Sequence, residues 1–157
     1  AGARIPLQAQ WLIGGLYLNE ISQYLVPEGL QLEGLFVAYT DALVGLASGK
    51  IGPLRSYERL ILEHAGYYPM LDRDHEGRPL QGTETYRLHN GQQLVAVEAS
   101  GPDGLLGSDW SVLSDCLYDD AVTLRQAKWL HRSLVDQASG GRRLFSRELL
   151  QTQGLPE

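Results

Sequence analysis

Asp72, Asp74, Glu76 and Gly77 follow one another as the opening ligands of a calcium loop do. Carboxylates fall on alternate residues and a Gly allows the sharp turn. Such a loop should close on a bidentate Glu at its twelfth position. That position is Thr83, and Pro79 interrupts the middle, so a solvated acidic turn is the expectation. His64, His75, His89 and His131 could supply metal ligands or a general base. Only His75 lies among carboxylates, and one tight loop rarely builds a closed zinc site. His64 falls on the apolar side of a helical pattern and reads as a core residue. Ser108, Ser111 and Ser114 lie near Asp109 and Asp115, but no strained nucleophile turn surrounds them. No Gly-rich phosphate loop followed by Lys-Ser/Thr is present. These residues therefore predict no catalytic residue, no metal ligand and no cofactor.

The basic residues form a different pattern. Arg125, Lys128 and Arg132 are three to four residues apart and share one helix face. Arg142, Arg143 and Arg147 follow just beyond that helix. Residues 121–157 hold these six cations against Asp136, Glu148 and Glu157. That segment is +3 and the rest of the chain is −9, within a net charge of −6. A basic docking face on an acidic body is one reading, and a solvated helix face is the other. Six cations can bind phosphates or an acidic peptide. Aromatic residues for base stacking are limited to Trp129 and Phe145, and both also read as core. Backbone contact is favoured over base readout.

The elements that must carry these residues follow from periodicity. Trp11, Leu12, Leu16, Ile21 and Leu25 mark a first helical face, ended by Pro27 and Gly29. Leu35, Phe36, Tyr39, Leu43 and Leu46 mark a second helix at about 32–47. Pro53 opens a third, with Leu54, Tyr57, Leu60, Ile61 and His64 inward and Gly66 as its left-handed stop. An irregular insertion spans about 69–107. Within it, Tyr86–His89 and Gln92–Val97 flank Asn90-Gly91 and predict a two-stranded ribbon. Residues 100–108 read as a connection. Asp109 and Thr123 are the expected N-caps of the next two helices, with Gln126 completing a capping box. Ser146 is the expected cap of a last helix, Phe145 stapling against Leu150. The fold class is thus mainly α: one helical domain over 1–157 with a small two-stranded β-ribbon and an irregular insertion. At 157 residues and 43% apolar, such a domain can bury a real core.

Cys116 is the only cysteine, which excludes an internal disulfide, and its apolar neighbours predict a buried thiol. No stretch approaches the roughly 20 apolar residues of a membrane span. No signal segment opens the chain, and the absence of an initiator Met suggests a fragment that begins at Ala1. A reducing bacterial cytoplasm fits these features.

Three separated stretches share one resemblance: Gly15-Leu16-Tyr17-Leu18-Asn19-Glu20, Tyr57-Glu58-Arg59-Leu60-Ile61-Leu62-Glu63-His64-Ala65-Gly66-Tyr67, and Gly140-Gly141-Arg142-Arg143-Leu144-Phe145-Ser146-Arg147-Glu148-Leu149. In that order and spacing they resemble the C-terminal helical part of RecO, the bacterial recombination mediator, over about 7–153. RecO proteins place an OB-fold ahead of this region, and that OB-fold is absent here. Many members carry a four-cysteine zinc motif where this chain has Leu71 to Gln81. None of those cysteines occurs here, so zinc is not carried over.

The resemblance implies a non-catalytic role in DNA repair and recombination. The family loads recombinase onto single strands coated by single-stranded-DNA-binding protein (SSB), anneals strands, and acts with RecR and RecF. It implies partners (the SSB C-terminal tail, RecR and single-stranded DNA) and a cytoplasmic, nucleoid-associated location. The acidic, Phe-ended tail is expected near Arg55, with Leu54, Tyr57 and Ile61 lining an apolar slot. Arg55 matches one of two adjacent basic positions of the family, and the second is Ser56 here. DNA is expected on Arg125, Lys128, Arg132, Arg142, Arg143 and Arg147. The alternative is a helical protein-interaction domain without a DNA role. A hydrolase using the Asp72–Glu76 turn stands as a third class.

Overall fold

A computed structural model describes residues 7–27, 34–98 and 103–152. Helices α1 (Leu7–Leu25), α2 (Leu35–Ala47) and α3 (Gly52–His64) come first. Strands β1 (Thr85–His89), β2 (Gln93–Val97) and β3 (Leu105–Leu106) follow, then α4 (Gly107–Ser114), α5 (Ala121–Ala138) and α6 (Phe145–Thr152). Helix α3 is central. It packs on α2 and α5, while α1 contacts α2, α3 and α6. Leu18, Ile21, Tyr57, Ile61, Leu62, Leu130 and Leu134 form the middle of the core.

The mainly helical class holds, with one addition to the sheet. β1 pairs with both β2 and β3, giving the order β2-β1-β3. The expected ribbon is there, turned by Asn90 at φ 52° and Gly91 at φ 68°. The third strand falls in the segment read as a connection. Two residues are too few for a period, and they are held because Gly107 N–H donates to Glu84 C=O at 2.8 Å. The acidic turn is closed by Asp74, which accepts from the backbone N–H groups of Glu76 and Arg78, both at 2.9 Å.

Several local expectations are corrected. α5 is capped by Asp120, which accepts from Thr123 N–H at 2.8 Å, so the helix starts before Thr123. α4 begins at Gly107, which leaves Asp109 in its first turn and not at the cap. Cys116 and His64 are exposed. Cys116 follows the end of α4 with φ 59°, turning the chain toward Tyr118. His64 is in the last turn of α3, past the reach of the core. Trp11, Leu12 and Leu16 are exposed while Ile13, Leu18, Ile21 and Leu25 are buried, so the inward face of α1 is rotated from the expected one. Phe36 is 80% exposed, and Trp129 and Phe145 are exposed too. The start expected for α2 at residue 32 lies outside the described residues, and the staple's Leu150 side chain is not described.

Candidate nucleic-acid interface

Helix α5 is amphipathic. Ala127, Leu130, His131, Leu134 and Val135 are buried, which leaves Arg125, Lys128, Arg132 and Asp136 on the outer side. Gly140 and Gly141, at φ 65° and 78°, then reverse the chain. Leu144 anchors the return in the core at 2% exposure. The start of α6 is held by Glu20 of α1, whose carboxylate accepts from Phe145 N–H and Ser146 N–H, both at 2.7 Å. A carboxylate there meets unpaired amides and the positive end of the helix.

This path brings Arg142, Arg143 and Arg147 beside Arg132. The four arginines line a cleft of about 410 Å³ together with Asp136 and Glu148. Arg147 pairs with Asp136 across the cleft. Arg143 lies 3.6 Å from Glu148. The Arg142 guanidinium sits over the Tyr24 ring, 5.3 Å from its centre. Arg125 is exposed and Lys128 half-buried, and neither lines the cleft. They continue from Arg132 along the same face toward the start of α5. At 1.5 Å per residue, Arg125 lies about 10 Å along the axis from Arg132.

The residues named around α3 lie differently. Leu54, Tyr57 and Ile61 are buried in the core, and Arg55 is only 8% exposed. Arg55 Nη1 donates inward to Glu58 Oε1 at 2.5 Å. The carboxylate of Glu58 also takes the Tyr17 hydroxyl of α1 and lies 3.2 Å from His131 Nδ1 of α5. His131 Nε2 is 3.1 Å from the Tyr68 hydroxyl. Burial pushes the Glu58 carboxyl up. Arg55 beside it, then the His131 hydrogen bond, outweigh burial and hold it at about 2. Arg55 Nε is buried without a hydrogen-bond partner. Ser56 is exposed on the outer side of the same turn.

Nearby, Arg59 Nη1 donates to the carbonyls of Leu113 and Ser114 at 2.8 Å each, satisfying the open end of α4. Sequence reasoning missed Glu58 and Glu20. Glu58 had a signal: it sits three residues after Arg55, between Leu54 and Ile61, on an inward stripe. Glu20 had none, because its partners are 125 and 126 residues away. Among the described residues, no three His, Cys, Asp or Glu side chains converge to hold a metal ion. No helix among them is long and apolar enough to cross a membrane.

Residues 9–116 match the family described as "Recombination protein O C terminal". Over 151 residues the chain is 36% identical to the DNA repair protein RecO of Pseudomonas aeruginosa strain LESB58, covering 95% of this chain and 65% of that protein. It is 35% identical over 147 residues to the DNA repair protein RecO of Laribacter hongkongensis, covering 88% and 59%. It is 32% identical over 149 residues to the DNA repair protein RecO of Yersinia enterocolitica, covering 92% and 62%. The chain therefore spans a little under two thirds of the length of these curated relatives. The arginine cleft lies past the family's matched span, yet the 95% coverage in Pseudomonas carries the likeness into α5 and α6. By the matched span and by these relatives, the chain belongs to the RecO family, in its C-terminal region.

Proposed function

We propose that this domain is a non-catalytic part of a DNA-repair recombination mediator. It helps load recombinase onto SSB-coated single strands and anneal them, in the cytoplasm at the nucleoid, through contacts with DNA, RecR and the SSB tail. The observation that carries the DNA contact is the gathering of Arg132, Arg142, Arg143 and Arg147 at one cleft of a chain with net charge −6. With Asp136 and Glu148 in the same lining, the cleft keeps a net +2 on an acidic body. Arg125 and Lys128 extend it along α5. Among the described residues the cleft lining holds no aromatic ring, which favours contact to phosphates, independent of sequence.

For the tail, the proposal rests chiefly on Arg55. Its Nε keeps a donor to spare, and the N-terminus of α3 adds partial positive charge. Leu54, Tyr57 and Ile61 would serve as an apolar floor reached only when the residues above them are displaced.

The test of the DNA contact is labelled single-strand binding by the variant carrying Arg142→Gln, Arg143→Gln and Arg147→Gln. Affinity should fall equally for all sequences, and each lost phosphate contact should reduce the salt slope by roughly 0.7. Unchanged binding would remove the cleft from the DNA surface and favour a protein-interaction domain without a DNA role.

A further inference from the structure

The cleft has a charge count and an asymmetry that a simple phosphate track lacks. Four arginines face two carboxylates, Asp136 and Glu148, so the lining carries +2. Arg147 and Arg143 already rest against those carboxylates. An entering anion must compete with them, and a doubly charged one does so better than a singly charged one. A phosphodiester carries one negative charge. A terminal phosphomonoester carries about −1.5 to −2 at pH 7 and offers three strong acceptor oxygens to the forked guanidinium groups.

The surroundings are also one-sided. Lys128 and Arg125 lead away from Arg132 along α5. Toward α1, the Glu20 carboxylate is taken up by the amides at the start of α6, so that helix end offers no open amides to a strand. A strand that enters along α5 therefore has its basic support on the α5 side of the cleft. The 410 Å³ volume is that of a small-molecule-sized recess, and among the described residues its lining offers no ring on which a base could stack.

We infer that the cleft receives the terminal phosphate of a nucleic-acid strand, the following diesters running along Arg132, Lys128 and Arg125. The inference rests on the reading of this cleft as a DNA contact and adds which part of the strand it takes. Anisotropy titrations of the full chain with one sequence bearing a 5′-phosphate, a 3′-phosphate or only hydroxyl ends test it directly. One phosphorylated end should bind about fivefold more tightly than the hydroxyl-ended strand at pH 7.5. The advantage should shrink at pH 5, below the second ionisation of a phosphomonoester near 6. Arg143→Gln, at a side chain 90% exposed, should weaken the phosphorylated strand more than the hydroxyl-ended one, so that the ratio between them falls toward one. Equal binding of all three strands, with weakening still caused by the triple arginine variant, would overturn the end preference and leave the DNA contact standing. Binding of all strands untouched by the triple variant would overturn both. A mononucleotide 5′-phosphate that competes as tightly as the phosphorylated strand would assign the recess to free nucleotides and overturn the strand-end assignment.

Discussion

His131 and Glu58 are 73 residues apart in sequence, and His131 Nδ1 lies 3.2 Å from Glu58 Oε1 in the fold. Both side chains are buried, and Arg55 and Tyr17 bind the same carboxylate. Three helices thus meet on one negative charge: α1 through Tyr17, α3 through Arg55 and Glu58, and α5 through His131. A buried carboxylate is tolerated only when its partners replace the water it lost. The arrangement fixes how α5 sits against α3, and α5 carries half of the basic surface.

The first prediction concerns acid stability. The Glu58 carboxyl is held at about 2 in the folded protein against 4.5 for the free side chain. The unfolded chain takes up the proton first as pH falls. The stabilisation is fully present above about pH 4.5 and is lost as pH drops toward 2. At about 1.4 kcal/mol per unit, the window holds about 3 kcal/mol. Urea unfolding of Glu58→Gln should show a shallower loss across that window than the parent. Parallel pH profiles would mean that another group carries the acid sensitivity.

The second concerns the joint between α1 and α6. Glu20 satisfies two amides at the start of α6 and so holds the segment bearing Arg142, Arg143 and Arg147. Glu20→Ala leaves the N–H of the buried Ser146 unpaired and should cost about 1–2 kcal/mol. Hydrogen exchange at Phe145 and Ser146 should speed up more than exchange within α3. Unaltered exchange at these amides would show that α6 is held by its apolar contacts alone.

The third concerns the start of α4. A Cβ at Gly107 would come within 2.1 Å of the Gln81 carbonyl oxygen, because the chain at 81–84 crosses there. Gly107 N–H bonds to Glu84 and Ser108 N–H to Gly82 at the same crossing. Gly107→Ala should cost about 1–3 kcal/mol, the range for overpacking a closed site. Gly49→Ala makes a control, since nothing lies near its added Cβ and only its backbone is strained. Thermal melting of both compares the effects, and a Gly107→Ala protein that melts with the parent would show that the 81–84 segment yields freely.

The helices were legible because their inward stripes repeat at three and four residues. Leu54, Tyr57 and Ile61 of α3 are buried as their spacing implied. The Asn90-Gly91 turn was legible because few residue pairs tolerate two successive positive φ angles. α1 was misread by rotation, since Leu12 and Leu16 are as apolar as Ile13 and Leu18, and only contact with α2, α3 and α6 decides which set is covered. β3 and the Glu20 joint depend on partners far away in sequence and leave no local period. The six basic residues were legible as a set. That four of them close into one cleft depends on the reversal at Gly140-Gly141 and on the Leu144 anchor.

The last prediction separates binding from stability at Arg55. Arg55→Ala leaves Glu58 buried with its main cation gone, and breaking a buried pair costs about 3–5 kcal/mol. Weaker binding of an acidic, Phe-ended peptide by that variant alone would therefore be ambiguous. Arg55→Met combined with Glu58→Met removes both charges, and replacing a buried pair by apolar residues of similar volume is often neutral. This double variant also leaves the Tyr17 hydroxyl and His131 Nδ1 without their acceptor, so it should melt below the parent but above Arg55→Ala. If Arg55 supplies a charge-assisted bond to the peptide, the double variant should bind it about 1.5–3 kcal/mol more weakly. Ser56→Arg should strengthen binding, because position 56 is exposed one residue along from Arg55 and needs no buried charge to be rearranged. Fluorescence anisotropy with a labelled tail peptide reads all three variants, with melting curves recorded on the same samples. A double variant that binds the peptide like the parent would place the tail elsewhere on the surface.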